Sequence, residues 1–287
     1  MDDEEARPER RSWLLSALVL AVGAVGAVLA ITTGRGDSAV FFVGLPTLLA
    51  LAVARTRPAR TAHGLTFKVI TIGLLLSAVL LHEGAVCLIF AAPLVYAVGH
   101  GIAALVDAAR RRVAALVLVP VALVLSLEGV QPAWRVAPLQ TVSVTHTVAT
   151  NPDEVARRIG DGPRIGSAGK PWAIALLPLP GHVSHQGDLW RFTFHGDSHG
   201  PGGELVTRVS ARGEGWMDFT PVSDTTVVTR WLDWRDARLS WRPGPGGTEV
   251  TLTMSFVRGL DPSWYFGPIE TGLVHSAAGY LLDTMAL

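Results

Sequence analysis

From Trp13 to Val130 the chain runs for 118 residues with only 12 charged ones. A soluble globular domain carries about 25% charged residues, so this stretch is written for a different solvent. The remainder reads differently. Gln131–Leu287 holds 28 charged residues in 157, and the first twelve residues alone hold eight. The chain therefore divides into a charged tail (residues 1–12), an apolar helical block (13–130), a short linker (131–138) and a moderately polar domain (139–287).

The apolar block has the lengths of membrane spans. Trp13–Ile31 is 19 residues without a charge, enough for one helix to cross a hydrocarbon core of roughly 30 Å. The segment before it is acidic (Asp2, Asp3, Glu4, Glu5, Glu9), unlike the basic start of a secretion signal. Further spans are expected at Ser38–Ala54, Leu65–Leu81, Ala85–Val106 and Val113–Leu127, the third and fourth being split at His82-Glu83-Gly84. Basic residues set the orientation. Arg7, Arg10 and Arg11, the Arg55–Arg60 loop and Arg110–Arg112 belong on the cytoplasmic side. Five spans satisfy that pattern and put the C-terminal domain outside the cytoplasm of a bacterial inner membrane. Glu83 and Glu128 both precede glycine near the outer interface. They read either as helix ends facing headgroup water or as an acidic cluster under the outer domain. His100 has no obvious partner in the sequence and reads as a packed or interfacial histidine.

Charge and cysteine content exclude several function classes. The chain carries 24 basic and 24 acidic residues, which gives no general pull toward nucleic acid. A mean hydropathy of +0.37 excludes a disordered chain. One cysteine, Cys87, rules out an intrachain disulfide or a multi-cysteine zinc site.

The polar domain reads as antiparallel strands with helices at either end. In Thr141–Val148, Val142, Val144, His146 and Val148 share one face, the period of a half-buried strand. Asn151-Pro152-Asp153-Glu154 then supplies a helix cap, a first-turn proline and a capping box. The Gly- and Pro-rich segment 160–187 holds at most one short strand, around Trp172–Leu177. Strands follow around Trp190–Phe194, Glu204–Ala211, Trp216–Pro221, Val227–Trp234, Ala237–Trp241 and Thr248–Val257, with a hairpin at Pro243–Gly247. Asp261-Pro262 reads as the opening of a final apolar-striped helix, which Pro268 either kinks or delays to a start near Gly267.

This order resembles the START-like, or SRPBCC, superfamily, which includes polyketide cyclase/dehydrase-like and lipid-transfer proteins. The resemblance rests on Thr141–Val155 as first strand and helix, and on Thr248–Val257 followed by Asp261–Pro268 as last strand and long helix. It covers Leu139–Leu287. It implies a helix-grip fold, α+β, in which a curved antiparallel sheet is closed by the long C-terminal helix over an apolar cavity. The preceding membrane block and the composition of 160–187 depart from the family pattern.

Three sets of residues offer chemistry. Eight of the nine tryptophans lie in the linker and polar domain, and aromatics on a curved sheet suit a lipid-like ligand. The cavity candidates among the strands are Trp190, Phe192, Phe194, Trp216, Trp231, Trp234, Met254 and Phe256. From the closing helix come Trp264, Tyr265, Leu273 and Tyr280, and Trp264-Tyr265-Phe266 also suits a gate or a bilayer contact. Histidines at His182, His185, His195 and His199 have spacings that suit a divalent metal, but lie in loops and at a strand end without helical register; exposed loop histidines are the plainer reading. The charged set Arg230, Asp233, Arg235, Asp236, Arg238 and Arg242 fits either a solvated outer face or a groove for a headgroup. No nucleotide or hydrolase fingerprint is present, and no cofactor is expected. The sequence thus points to membrane-anchored binding or transfer of a lipid or other hydrophobic small molecule. A cyclase-like enzyme using His146, His195 or Asp218 as base, or a non-catalytic assembly module, stands as the alternative.

Overall fold

The computed structural model describes residues 6–32, 43–81, 85–109, 128–129, 131–166, 169–175, 177–196 and 202–285. The chain forms two compact units, Met1–Val124 and Leu125–Leu287.

The first unit is helical: α1 (Ala6–Thr32), α2 (Leu45–Arg55), α3 (Ala62–Leu81) and α4 (Ala85–Ala109). Helix α3 packs against α2 and α4, and α1 against α2 and α3. Small residues let these backbones approach. A Cβ on Gly26 would lie 2.3 Å from a methyl of Val79, and one on Gly99 would lie 2.3 Å from Ile70 Cδ1. Among the described residues one helix, Ala62–Leu80, is long and apolar enough to cross a membrane, while Trp13–Leu29, Leu45–Arg55 and Leu88–Ala104 are shorter apolar stretches. The expected fifth span, Val113–Leu127, and Glu83 lie outside the described residues.

The second unit is a seven-stranded antiparallel sheet with a long C-terminal helix, the helix-grip arrangement. Its elements are β1 (Leu139–Val148), α5 (Pro152–Asp161), β2 (His182–Gln186), β3 (Leu189–Phe194), β4 (Gly203–Gly213), β5 (Trp216–Asp224), β6 (Leu232–Gly244), β7 (Gly247–Arg258) and α6 (Ser263–Thr284). The strand order is β1-β7-β6-β5-β4-β3-β2. Strands β2 to β7 form a meander, and β1 closes against the last of them.

Alternation decides the two faces. Val142 and Val144 point with Val250, Leu252, Phe256, Leu239 and Trp241 toward the helices, where Val274, Ala278 and Leu282 of α6 and Val155 and Ile159 of α5 complete the core. On the other face hydroxyls pair across β1 and β7: Ser143 with Thr253 and Thr145 with Thr251, both at 2.8 Å. Asn151 Oδ1 accepts the Glu154 N–H at 2.8 Å, so the cap forms. The Glu154 carboxylate, however, takes Arg157 and Arg158 instead of returning to the cap.

Five expectations change. Trp172–Ile174 is a turn of 3₁₀ helix and not a strand; it directly follows Pro171 and buries Ile174 fully. Val227–Arg230 is also 3₁₀. Asp224 Oδ1 accepts the Thr226 N–H (2.8 Å) and the Thr229 hydroxyl donates to Thr226 O (2.8 Å), so local side-chain bonds outcompete the strand. The strands expected at Val227–Trp234 and Ala237–Trp241 are replaced by the single β6, with a bulge between Trp234 and Asp236. His182–Gln186, read as loop, is the edge strand β2. Helix α6 starts at Ser263 and runs through Pro268, with Pro262 at its N-cap position. Asp261 makes no cap because its carboxylate is committed elsewhere.

Candidate functional site

Register with β7 extends the helix-facing surface across the whole sheet. Val142, Met254 and Ala237 lie in one row, and Phe219 and Val209 continue it. Beyond them Leu205 pairs with Phe192, and Thr207 with Trp190. Helix α6 packs chiefly on β1 and β7, and α5 on β6 and β7. Over β3 to β5 the same surface is therefore thinly covered. Phe192, Phe194, Leu205, Met217 and Phe219 stay half-buried there. Trp190 is the exception at 5% exposed. It stacks on His185 with ring centres 5.2 Å apart and meets Phe219 edge-on at 5.7 Å.

The sheet also opens along its length. Strands β5 and β6 pair only from Trp216–Phe219 to Ala237–Ser240. Past that point β5 stays with β4 and β6 with β7, and a cleft of about 390 Å³ lies between them. Pro221, Val222, Ser223 and Asp224 line one side, Asp233, Trp234 and Arg235 the other, with Thr229 between. Trp234 links the cleft to the core, meeting Phe256 edge-on at 5.9 Å. Oδ2 of Asp224 is buried with no hydrogen-bond partner.

The remaining aromatic candidates divide. Phe256 is fully buried and Met254 half-buried on the helix-facing layer, and Leu273 is half-buried on α6. Tyr280 is 5% exposed, and its hydroxyl accepts the Gly166 N–H. Trp231 is half-buried, with its carbonyl taking the Gly259 N–H. Trp264 is exposed at the start of α6, edge-on to Tyr265. Trp216 does not join this layer: pairing with Ser240 places it on the opposite face, where Arg238 stacks over its ring at 5.0 Å.

The opposite face also takes most of the charged set. Arg238 clasps Asp218 with two bonds of 2.5 and 2.6 Å, holding that carboxyl below its ordinary range. A carboxylate so fixed, on the face away from the aromatic layer, is a poor general base. Arg235 pairs with Asp233 and Arg242 with Glu249. His146 meets Asp283 at 3.3 Å at the C-terminal end of α6. His182 and His185 are exposed on β2, and His195 is exposed beside Gly181. His199 lies outside the described residues. Among the described residues no group of three His, Cys, Asp or Glu side chains converges.

Two constellations escaped the sequence reading. In the first unit His100 does have a partner: the Nδ1 atoms of His63 and His100 are 3.1 Å apart, and Tyr96 stacks beside them. In that contact one imidazole nitrogen donates and the other accepts. In the second unit an ionic cluster joins the linker to the end of β7 and the start of α6. Arg258 is fully buried, and its Nη2 donates to Glu128 Oε1 (3.0 Å) and Asp261 Oδ1 (2.8 Å). Arg135 Nε donates to Asp261 Oδ2 at 2.8 Å, and its Nη2 to Arg258 O. Glu128 also accepts the Ser263 N–H and hydroxyl, both at 2.8 Å, and the Val136 N–H at 3.0 Å. Burial pushes the Glu128 carboxyl up, but these hydrogen bonds outweigh it and bring it down to about 2. Glu270, 3% exposed, is the opposite case: burial raises it to about 7, although Leu260 N–H donates to it at 3.1 Å.

No protein-family model and no curated protein matches the chain. Solved structures do match, each over about half of it. A START superfamily protein from Mycobacterium smegmatis is 16% identical, covering 50% of this chain and 93% of its own with a TM-score of 0.36. An AHSA1-like protein from Aeromonas hydrophila is 10% identical over 51% and 89%, with a TM-score of 0.34. Norcoclaurine synthase from Thalictrum flavum, in complex with dopamine and hydroxybenzaldehyde, is 9% identical over 52% and 84%, with a TM-score of 0.35.

Proposed function

We propose that this chain is a membrane-anchored START-like protein whose C-terminal domain, outside the cytoplasm, binds a lipid or another hydrophobic small molecule. The observation that carries the reading is the thinly covered aromatic surface over β3 to β5. Phe192, Phe194, Met217 and Phe219 share one face with the core yet are only half-buried. Covering such a surface with an acyl chain or ring gains about 25 cal/mol per Å² without any catalytic group. The cleft between β5 and β6 adds Trp234 and Val222 to the solvent-accessible apolar groups of this domain. Anchoring is supported by the first unit. Large apolar side chains such as Leu14 (65%), Leu48 (64%) and Val69 (61%) lie exposed on its helices, as lipid-facing side chains do.

The test is lipid identification by mass spectrometry on gently purified full-length protein. A bound hydrophobic molecule, retained by the parent and lost from Phe192→Asp or Phe219→Asp protein of native circular dichroism, is the expected result. Equal retention by all three would remove the site. Reporter fusions after Pro138 and Leu287 should be active only outside the cytoplasm; cytoplasmic activity at both would reverse the orientation.

A further inference from the structure

Glu128, the first described residue of the domain, is held firmly in its fold. Glu128 immediately follows the apolar segment Val113–Leu127, and four hydrogen bonds fix its carboxylate: from Arg258, from Val136, and from the N–H and hydroxyl of Ser263. A flexible linker would let a domain wander by several Å per square root of residue number. Here the residue that leaves the apolar segment is itself part of the fold. The described chain enters the domain at Glu128, at the end where β1 starts, β7 ends and α6 begins.

That end is apolar where it faces out. Trp134 is 50% exposed, Val136 61%, Leu139 58% and Trp264 52%. All four are tied to the ionic cluster. Trp134 and Val136 flank Arg135, Leu139 pairs with Val257 beside Arg258, and Trp264 follows Ser263. The cluster beneath them is balanced: Arg135 and Arg258 offset Glu128 and Asp261. A charge-balanced base is brought toward a medium of low dielectric at less cost than an unpaired charge, even though Nε and Nη1 of Arg258 make no hydrogen bond. Paired tryptophans beside short aliphatic side chains are also what membrane–water interfaces favour.

We propose that this end of the domain docks on the bilayer, with Trp134, Val136, Leu139 and Trp264 seated in the headgroup region. The proposal rests on the membrane reading above, and adds to it a fixed orientation: α6 rises from the bilayer at Ser263 and carries its other end, near Thr284, about 33 Å away along the helix.

The test uses the full chain with Cys87→Ser, reconstituted in vesicles of phosphatidylcholine with phosphatidylglycerol. Single nitroxide labels are placed by Val136→Cys, Leu139→Cys and Arg164→Cys. Arg164 is exposed, and its N–H bonds Thr284 O at the far end of α6. Collision with oxygen reports lipid, and collision with a nickel chelate reports water. Labels at 136 and 139 should lose nickel accessibility and keep oxygen accessibility, while the label at 164 keeps both. Nickel accessibility equal at all three positions, in protein that resists alkaline extraction, overturns the docking and leaves the anchoring intact. Labels at 136 and 139 shielded from both reagents mean that protein covers the patch, a second copy or another partner, and also overturn it. Extraction of the protein by alkali overturns the anchoring, and the docking with it.

Discussion

Replacing Glu270 by glutamine should remove a fall in stability that the parent domain shows between about pH 4.5 and pH 8. The side chain is 3% exposed, Leu260 N–H donates to its Oε1 at 3.1 Å, and its Oε2 has no hydrogen-bond partner. Burial raises its pKa from 4.5 to about 7; Leu260, Arg258 and Arg135 pull it down by less, and Asp261 adds to the rise. The folded domain therefore keeps the proton up to about pH 7, whereas the unfolded chain releases it near pH 4.5. A carboxyl raised on folding contributes stability that is fully present below the unfolded value and lost as pH rises through the folded one. The ceiling on that loss is about 3 kcal/mol, at about 1.4 kcal/mol per pKa unit. For a unit of this size about 1 kcal/mol moves Tm by roughly 2–4 °C, so the parent should melt on the order of 6–12 °C lower at pH 8 than at pH 4.5 from this group alone. Glutamine keeps the acceptor for Leu260 and cannot ionise, so its Tm should lack that fall. Thermal unfolding of the full chain in detergent, followed by near-ultraviolet circular dichroism between pH 5 and 8, reads the difference between the two curves. Parallel curves across that range would refute the reasoning, because no other carboxyl identified here shifts within it.

Other outcomes follow from the same geometry. Glu128 is lowered from 4.5 to about 2, so its contribution is present above pH 4.5 and lost as pH falls toward 2; Glu128→Gln should flatten the acid limb of an unfolding curve and leave the neutral limb unchanged in shape. Arg258→Met leaves Glu128 and Asp261 facing each other with only Arg135 beside them, and should cost about 3–5 kcal/mol in denaturant unfolding. Asp218→Asn breaks a pair whose arginine is 57% exposed, and should cost no more than about 1 kcal/mol in the same assay. Phe256→Ala empties a fully buried position between β6 and α6, with an expected loss of about 3–5 kcal/mol. Asn151→Ala removes the acceptor for Glu154 N–H and should cost about 1 kcal/mol.

How far the sequence reveals this molecule depends on where the information sits. Strands β1 and β7 are legible because one face is buried and the other carries a hydroxyl ladder, so alternation is uninterrupted. Strand β2 is not, since four of its five residues are exposed at a sheet edge and no alternation can mark it. The bulge at Trp234–Asp236 shifts the period of β6 near its start and makes one strand read as two. The aromatic layer is partly legible: Trp190, Phe192 and Phe194 share their face by period alone, whereas the face of Trp216 depends on a register that only pairing with β6 determines. The ionic cluster is hidden for a different reason. Glu128 and Arg258 are 130 positions apart, and each is locally explained, as a helix end and as the close of a strand. His63 and His100 are hidden in the same way, 37 positions apart on adjacent helices.

The sheet order has a consequence for how the domain is made. Strand β1 pairs with β7 along its whole length, from Leu139 with Val257 to Val148 with Thr248. Its hydrogen-bonding partner is thus the last strand to be synthesised. At about 5–20 residues per second, β1 exists for roughly 5–20 s before β7 leaves the ribosome. The meander from β2 to β6 can assemble by local hairpins in that interval, but the layer of Val142 and Val144 has nothing to close on until β7 and α6 arrive. Assembly of the core is therefore a late, long-range event, slow by the logic of loop closure. During that window an unpaired, valine-rich strand waits beside the chain's own apolar segment.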